Sequence, residues 1–286
     1  MEKGKIGVQM MMLKGKAEEL GVYETMRKLN ELGYRCVEVS QIPMTEDNVA
    51  AFKRSSEDFD IKIASLSAAL EPMLPGMPGE TLTNDFEKMV NDCKILNCSY
   101  LRIGMLPFHI MGDKDKIMAF IGKAEMMAER LAKHGIELYY HNHHIEFAKY
   151  DGEYLLDLMK NNTSKLGFEL DVHWIQRAGL DPITLIKEYA GRISLLHLKD
   201  YRVGQMNVDE ADFKDMPKFF QRFTNVIEFA EVGEGNLDMK GIIDAGLESG
   251  AKYFLVEQDE LYGRDPFDCL KISGDNLRAL GYSDWF

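Results

Sequence analysis

Residues 138–147 read LYYHNHHIEF, an apolar start that ends in His141, His143, His144 and Glu146. Three of the chain's seven histidines fall within four residues here. A buried core strand has no use for such a cluster. Imidazole and carboxylate side chains bind divalent ions and move protons. Three later apolar stretches also end in an acid or a histidine, at Asp171, His197 and Glu257. Oxygen and nitrogen donors mixed in this way suit Mn²⁺, Co²⁺, Fe²⁺, Zn²⁺ or Mg²⁺ rather than a thiolate-preferring site. Taken singly, an acid at a strand end is more often a helix cap, and a buried histidine more often a hydrogen-bonded core residue. Four such ends on consecutive strands point instead to one shared divalent ion.

The elements that must position these residues alternate between strand and helix. Apolar patterning predicts strands at 5–10, 35–39, 61–66, 99–104, 136–141, 166–171, 192–198 and 252–257. Helical periodicity predicts helices at 23–32, 45–59, 84–96, 113–134, 152–160, from 181, and at 239–249 and 266–280. Gly33 is placed to stop the first of these. Asp181-Pro182 reads as an N-cap followed by proline at the first helical position. A Pro/Gly loop at 71–80 is long enough to shape an opening. The connection at 200–238 carries a short helix near 216–223 and reads as a mobile lid, because connections this long are uncommon and usually functional.

Eight such units without a linker predict an α/β chain forming a single (β/α)₈ barrel over residues 1–286. A doubly wound sheet would need a glycine-rich phosphate turn after an early strand, and none is present. Catalytic groups of a (β/α)₈ barrel sit at the C-terminal ends of its strands. Side chains alternate along a strand, so parity tests the assignment. It puts Tyr139, His141 and His143 inside the barrel, with Glu169, Asp171 and His173, with Leu195, His197 and Lys199, and with Leu255 and Glu257. Glu146 lies beyond its strand, where parity no longer applies.

Composition narrows the partners. The formal net charge is −13 with no basic cluster, which disfavours nucleic acid. No apolar run approaches the roughly 20 residues that span a bilayer. The stretch Met1-Glu2-Lys3-Gly4-Lys5 lacks the apolar segment of a secretion signal. Cys36, Cys93, Cys98 and Cys269 form no C-x-x-C pair and read as reduced thiols, so a cytoplasmic location is expected.

The strand-five element His141-Asn142-His143-x-x-Glu146-Phe147 resembles the sugar phosphate isomerase/epimerase superfamily, the xylose-isomerase-like TIM barrels. So do Leu170-Asp171-Val172-His173, His197-Leu198-Lys199-Asp200 and Val256-Glu257-Gln258-Asp259. The resemblance covers nearly the whole chain. It implies one divalent ion, Mn²⁺ being the expected metal, held by an acid from strand five together with Asp171, His197 and Glu257. The family's strand-five acid falls at His141 here. Glu146 is the nearest acid that replaces it and is taken as the ligand, with His141 as a neighbour or alternative ligand and a substrate contact.

The resemblance further implies a Lewis-acid site that stabilises an enediolate formed by proton loss next to a carbonyl. His143 matches the family's catalytic histidine. Glu146 and Glu257 are alternative bases. Lys199 either donates to a substrate oxygen or is an exposed ion-pairing lysine. Arg102 either contacts substrate oxygens or forms a rim ion pair. His173 touches substrate or supports the metal. The implied activity is a metal-dependent isomerase or epimerase acting on an unphosphorylated carbohydrate, since no phosphate loop follows strand seven or eight. A lyase of the same fold, a dehydratase or a subunit that cleaves 3-keto- or C-glycosides, is the alternative. A non-catalytic sugar-binding barrel stays open, as does assembly into a homo-oligomer or with a small partner subunit.

Overall fold

The computed structural model describes residues 3–210 and 212–286; Met1, Glu2 and Ala211 lie outside them, and with them part of the N-terminal reading. Eight parallel strands close into a barrel. They are β1 (Lys5–Gln9), β2 (Cys36–Val39), β3 (Lys62–Ser67), β4 (Tyr100–Ile103), β5 (Glu137–His141), β6 (Gly167–Asp171), β7 (Ile193–Leu198) and β8 (Tyr253–Val256). β1 pairs with both β2 and β8, which seals the ring. Leu138 and Tyr140 of β5 and Phe168 and Leu170 of β6 join the large core between strands and helices. Cys36, Ala64, Tyr100, Tyr139, Leu195 and Leu255 form a separate apolar cluster inside the barrel. The parity read from sequence therefore holds for these residues. Gly167 has to be glycine, because a Cβ there would run into the Tyr139 ring that fills the barrel beside it.

The helices begin where capping chemistry puts them. Thr45 accepts from the Asn48 N–H at the head of Glu46–Phe59, and Asp181 from Thr184 N–H at the head of Pro182–Glu188. Two further helices, Lys14–Leu20 and Val172–Arg177, were not expected from the sequence. The second changes the site. β6 stops at Asp171, so His173 lies on a helix rather than on an inward-facing strand position. The connection after β7 is organised as an antiparallel hairpin, Asp200–Val203 with Ile227–Ala230. It carries the helix Met216–Thr224, close to its expected limits. The four cysteines are buried free thiols. No helix among the described residues is long and apolar enough to cross a membrane.

Candidate active site

The C-terminal mouth of the barrel holds a cleft of about 560 Å³, lined among others by Gln9, Arg102, His141, His143, Lys199 and Glu257. A cavity of equal size at the opposite end has no histidine in its wall. Beneath the cleft, one donor atom each from His141, Asp171, His197 and Glu257 lies within 4.8 Å of the others, and all four residues are buried. Asp171 Oδ2 is 3.9 Å from His141 Nε2 and 3.8 Å from His197 Nδ1; Glu257 Oε2 is 2.8 Å from the same Nδ1. Asp171 Oδ2, His197 Nδ1 and Glu257 Oε2 are buried without a directed hydrogen bond. Buried polar atoms that converge yet leave one another unsatisfied are what a shared cation would resolve. The set fits a divalent ion.

Each donor is held from behind. Asp171 Oδ1 accepts from the backbone N–H groups of His173 and Trp174, capping the short helix, while Oδ2 is left for the site. The helix-cap reading and the ligand reading of this acid are thus both satisfied, by different oxygens. The Asp171 backbone N–H donates to Asn142 Oδ1. Gln9 Nε2 donates to Glu257 Oε1 at 2.8 Å. His197 turns Nε2 away from the cluster, 3.0 Å from Glu38 Oε1 and 3.2 Å from Glu169 Oε1. A partner on the far nitrogen fixes a ligating imidazole.

Glu38 and Glu169 are themselves clamped by the Arg102 guanidinium, whose Nε is 2.8 Å and 3.2 Å from them. With His197 this lower acid pair is also close enough to hold an ion, but neither acid lines the cleft, so a substrate there would reach the upper set. Burial and the charge of Glu38 push the Glu169 carboxyl up to about 8, while Glu38, despite its burial, is held well below the carboxylate range by Arg102 and His197. Arg102 is therefore an ion-paired residue that also reaches the cleft wall.

Glu146 is displaced from its expected role. It sits on a 3-10 turn, Ile145–Phe147, and its carboxylate accepts from the Tyr140 hydroxyl at 2.6 Å and from the His143 N–H at 2.7 Å. Tyr140 belongs to the helix-facing side of β5, so Glu146 is turned out of the barrel. It joins neither the donor set nor the cleft wall. His141 takes that place.

Burial holds His141 well below the ordinary histidine range, leaving a neutral imidazole with a free lone pair. His143 is pushed down to about 4, mainly by burial, and lines the cleft with its ring centre 4.8 Å from that of His141 and 5.6 Å from that of Trp174. His173 is not on the cleft wall, although its backbone N–H holds Asp171. Its Nδ1 donates to the Asp200 carbonyl at 3.0 Å, and its ring stacks on Phe229 of the hairpin at 4.3 Å. It props the hairpin against the site rather than lining the cleft.

Lys199 is 1% exposed, so it is no surface lysine. Its ammonium lies 2.8 Å from Asp171, 2.9 Å from Glu257 and 2.8 Å from Asp259, and these acids keep it charged against the opposing effect of burial. Sequence reasoning passed over Glu38 and Gln9, and named Asp259 within its motif without giving it a role. Glu38 alone carried a signal, being a single acid in an otherwise apolar strand with the parity of Cys36.

A closed eight-stranded parallel barrel with a His/Asp/Glu cluster at its C-terminal mouth defines a class of TIM-barrel proteins with the makings of a metal centre. The profile of the xylose isomerase-like TIM barrel family matches residues 26–271, and the chain belongs to that family. Inosose dehydratase of Lacticaseibacillus casei is 28% identical over 136 residues, 48% of this chain and 44% of that protein. The chain thus spans about half the length of the relatives it matches. A sugar phosphate isomerase/epimerase from Parabacteroides distasonis superposes with a TM-score of 0.71 at 22% identity, covering 99% of this chain and 96% of that one. The 3-keto-D-glucoside 4-epimerase of E. coli gives 0.66 at 11% identity, covering 97% and 99%. At these identities the two structures speak for the fold.

Proposed function

We propose that the protein is a divalent-metal-dependent sugar isomerase or epimerase that abstracts a proton next to a carbonyl. The observation that carries this reading is the convergence of His141, Asp171, His197 and Glu257 at the floor of a cleft whose wall presents a neutral imidazole, His143. These four residues would hold the ion. When bound, it supplies Lewis acidity toward the oxygens of the substrate. The chain's own groups do the rest. His143, uncharged at neutral pH, takes the α-proton; its return to the neighbouring, former carbonyl carbon isomerises the sugar, whereas a proton delivered to the opposite face of the same carbon by a second group epimerises it. Glu257, also on the cleft wall, is the second candidate base; Glu146 is withdrawn from that role by its outward position. Lys199 supplies a positive charge to the oxygen that gains negative charge as the proton leaves.

The fitting substrate is a small unphosphorylated carbohydrate, a ketose, inosose or keto-glycoside. A lyase outcome is the second reading, favoured by the similarity to an inosose dehydratase. It shares the proton-abstraction step and differs in losing a β-substituent afterwards. NMR of such substrates in D₂O with metal-loaded protein tests both. Deuterium incorporation at the α-carbon is expected, and the product separates epimerisation, isomerisation and elimination. No exchange with any of the panel would sink the enzymatic reading in favour of a sugar-binding barrel.

A further inference from the structure

Lys199 shares its oxygens with the donor set. Its Nζ lies 2.8 Å from Asp171 Oδ2 and 2.9 Å from Glu257 Oε2, the same two atoms that face His141 and His197. Neither oxygen has a directed hydrogen bond, so the ammonium sits there as a charge rather than as a locked donor. Its third partner, Asp259 Oδ1 at 2.8 Å, stands apart from the donor set. Asp259 is on the cleft wall with its side chain 24% exposed, whereas the other two acids are almost wholly enclosed. A divalent ion bonded to the two shared oxygens at ~2.0–2.2 Å would stand within about 5 Å of the ammonium, where like charges in a buried site repel strongly. The ion and the ammonium cannot both hold these atoms at contact distance.

We propose that Lys199 is the resident counter-cation of the Asp171–Glu257 pair and competes with the divalent ion for it, ion entry moving the ammonium onto Asp259 at the cleft wall. The inference rests on the metal reading given above. It makes the metal-free chain self-neutralised at this acid pair. It also orders the assembly of the site: metal first, then a lysine turned to the cleft, then substrate. Trp174 and Phe229, whose ring centres are 5.5 Å and 6.0 Å from Nζ, border the ammonium with π faces that favour a cation.

The test has two arms, neither of which needs turnover. Pulse acetylation of the wild-type chain, read by mass spectrometry with and without Mn²⁺, reports where the amine lies. Lys199 labelling is expected to rise several-fold when Mn²⁺ is bound, with exposed Lys53 and Lys240 unchanged. Calorimetric titration of Lys199→Met with Mn²⁺ is expected to show at least tenfold tighter binding than wild type, while Lys199→Arg, which keeps the charge, shows no such gain. Metal-free Lys199→Met should also melt below wild type and recover with Mn²⁺.

Binding of Mn²⁺ by Lys199→Met alone would support competition in its strongest form. Wild type that binds Mn²⁺ with Lys199 labelling unchanged or reduced overturns the displacement and leaves the metal reading intact, as does Lys199→Met binding no tighter. Failure of every variant and of wild type to bind removes the metal reading, and this inference with it. If Lys199→Met does not fold, the labelling arm on wild type decides alone.

Discussion

The barrel interior has two halves built from the same eight strands. Toward the strand N-termini it is filled by Cys36, Ala64, Tyr100, Tyr139, Leu195 and Leu255, an apolar plug. Toward the C-termini the same inward faces carry Glu38, Arg102, His141, Glu169, Asp171, His197, Lys199 and Glu257, all buried. On β7 the change takes two residues, from Leu195 to His197. The lower half gains from excluding water. The upper half bears the cost of burying charge, offset by opposite charges and by hydrogen bonds such as those to Asp171 and Glu257. The division matches the general one in such barrels, in which stability belongs to the bottom and chemistry to the top. Here it is visible within single strands.

The largest expected effect breaks the upper half alone. Asp171→Ala or Glu257→Ala should abolish metal uptake and turnover together, since each removes a donor and leaves Lys199 with fewer partners. Elemental analysis beside an activity assay checks this, and either variant retaining a full ion would remove that residue from the donor set. His143→Ala should separate the functions. It is expected to keep its metal and its thermal stability while losing ~10²–10⁴-fold in turnover. A metal-free His143→Ala protein would make His143 a ligand.

Breaking the lower half should do the reverse. Leu195→Ala opens a cavity in a fully buried plug and is expected to cost ~2–5 kcal/mol of stability. Metal content and the pH dependence of turnover should be unchanged. Chemical denaturation measures the first and elemental analysis the second. Loss of metal in this variant would show that the two halves are coupled rather than separate.

The fold was legible because its signals are periodic. The strand runs and their inward parity recur along the chain, and a strand that has lost one or two residues at its edge still puts Asp171, His197 and Glu257 on the right face. The site was legible only as far as the strands extend. Past Asp171 the chain turns into a helix capped by that same residue, so the parity that assigned His173 had already lapsed. Past His141 a 3-10 turn sends Glu146 outward, and nothing in the spacing of HNHxxEF distinguishes a carboxylate that turns in from one that turns back to cap its own loop. Glu38 was hidden for the opposite reason. It sits mid-strand on β2, 159 residues before the histidine it supports.

The smallest expected effect tests the boundary between ligand and loop anchor at Glu146. Burial raises its carboxyl from 4.5 to about 7, even though Tyr140 and the His143 N–H favour the charged form. An acid whose folded pKa is raised contributes stability fully below its unfolded value and loses it as pH climbs through the folded one. For Glu146 that window runs from about 4.5 to about 7. Glu146→Gln keeps a carbonyl for the His143 N–H but turns an amide toward the Tyr140 oxygen, so the Tyr140 hydroxyl proton loses its acceptor, a cost that does not vary with pH. Relative to wild type the variant should gain stability as pH rises from 4.5 to 8, by on the order of 3 kcal/mol at most. Denaturation at pH 5 and pH 8 reads the gain. Metal content should be unaffected, because the carboxylate faces Tyr140 and not the donor set. Should Glu146→Gln lose its metal while remaining folded, the acid does turn inward to the ion, and His141 returns to the position of a neighbour.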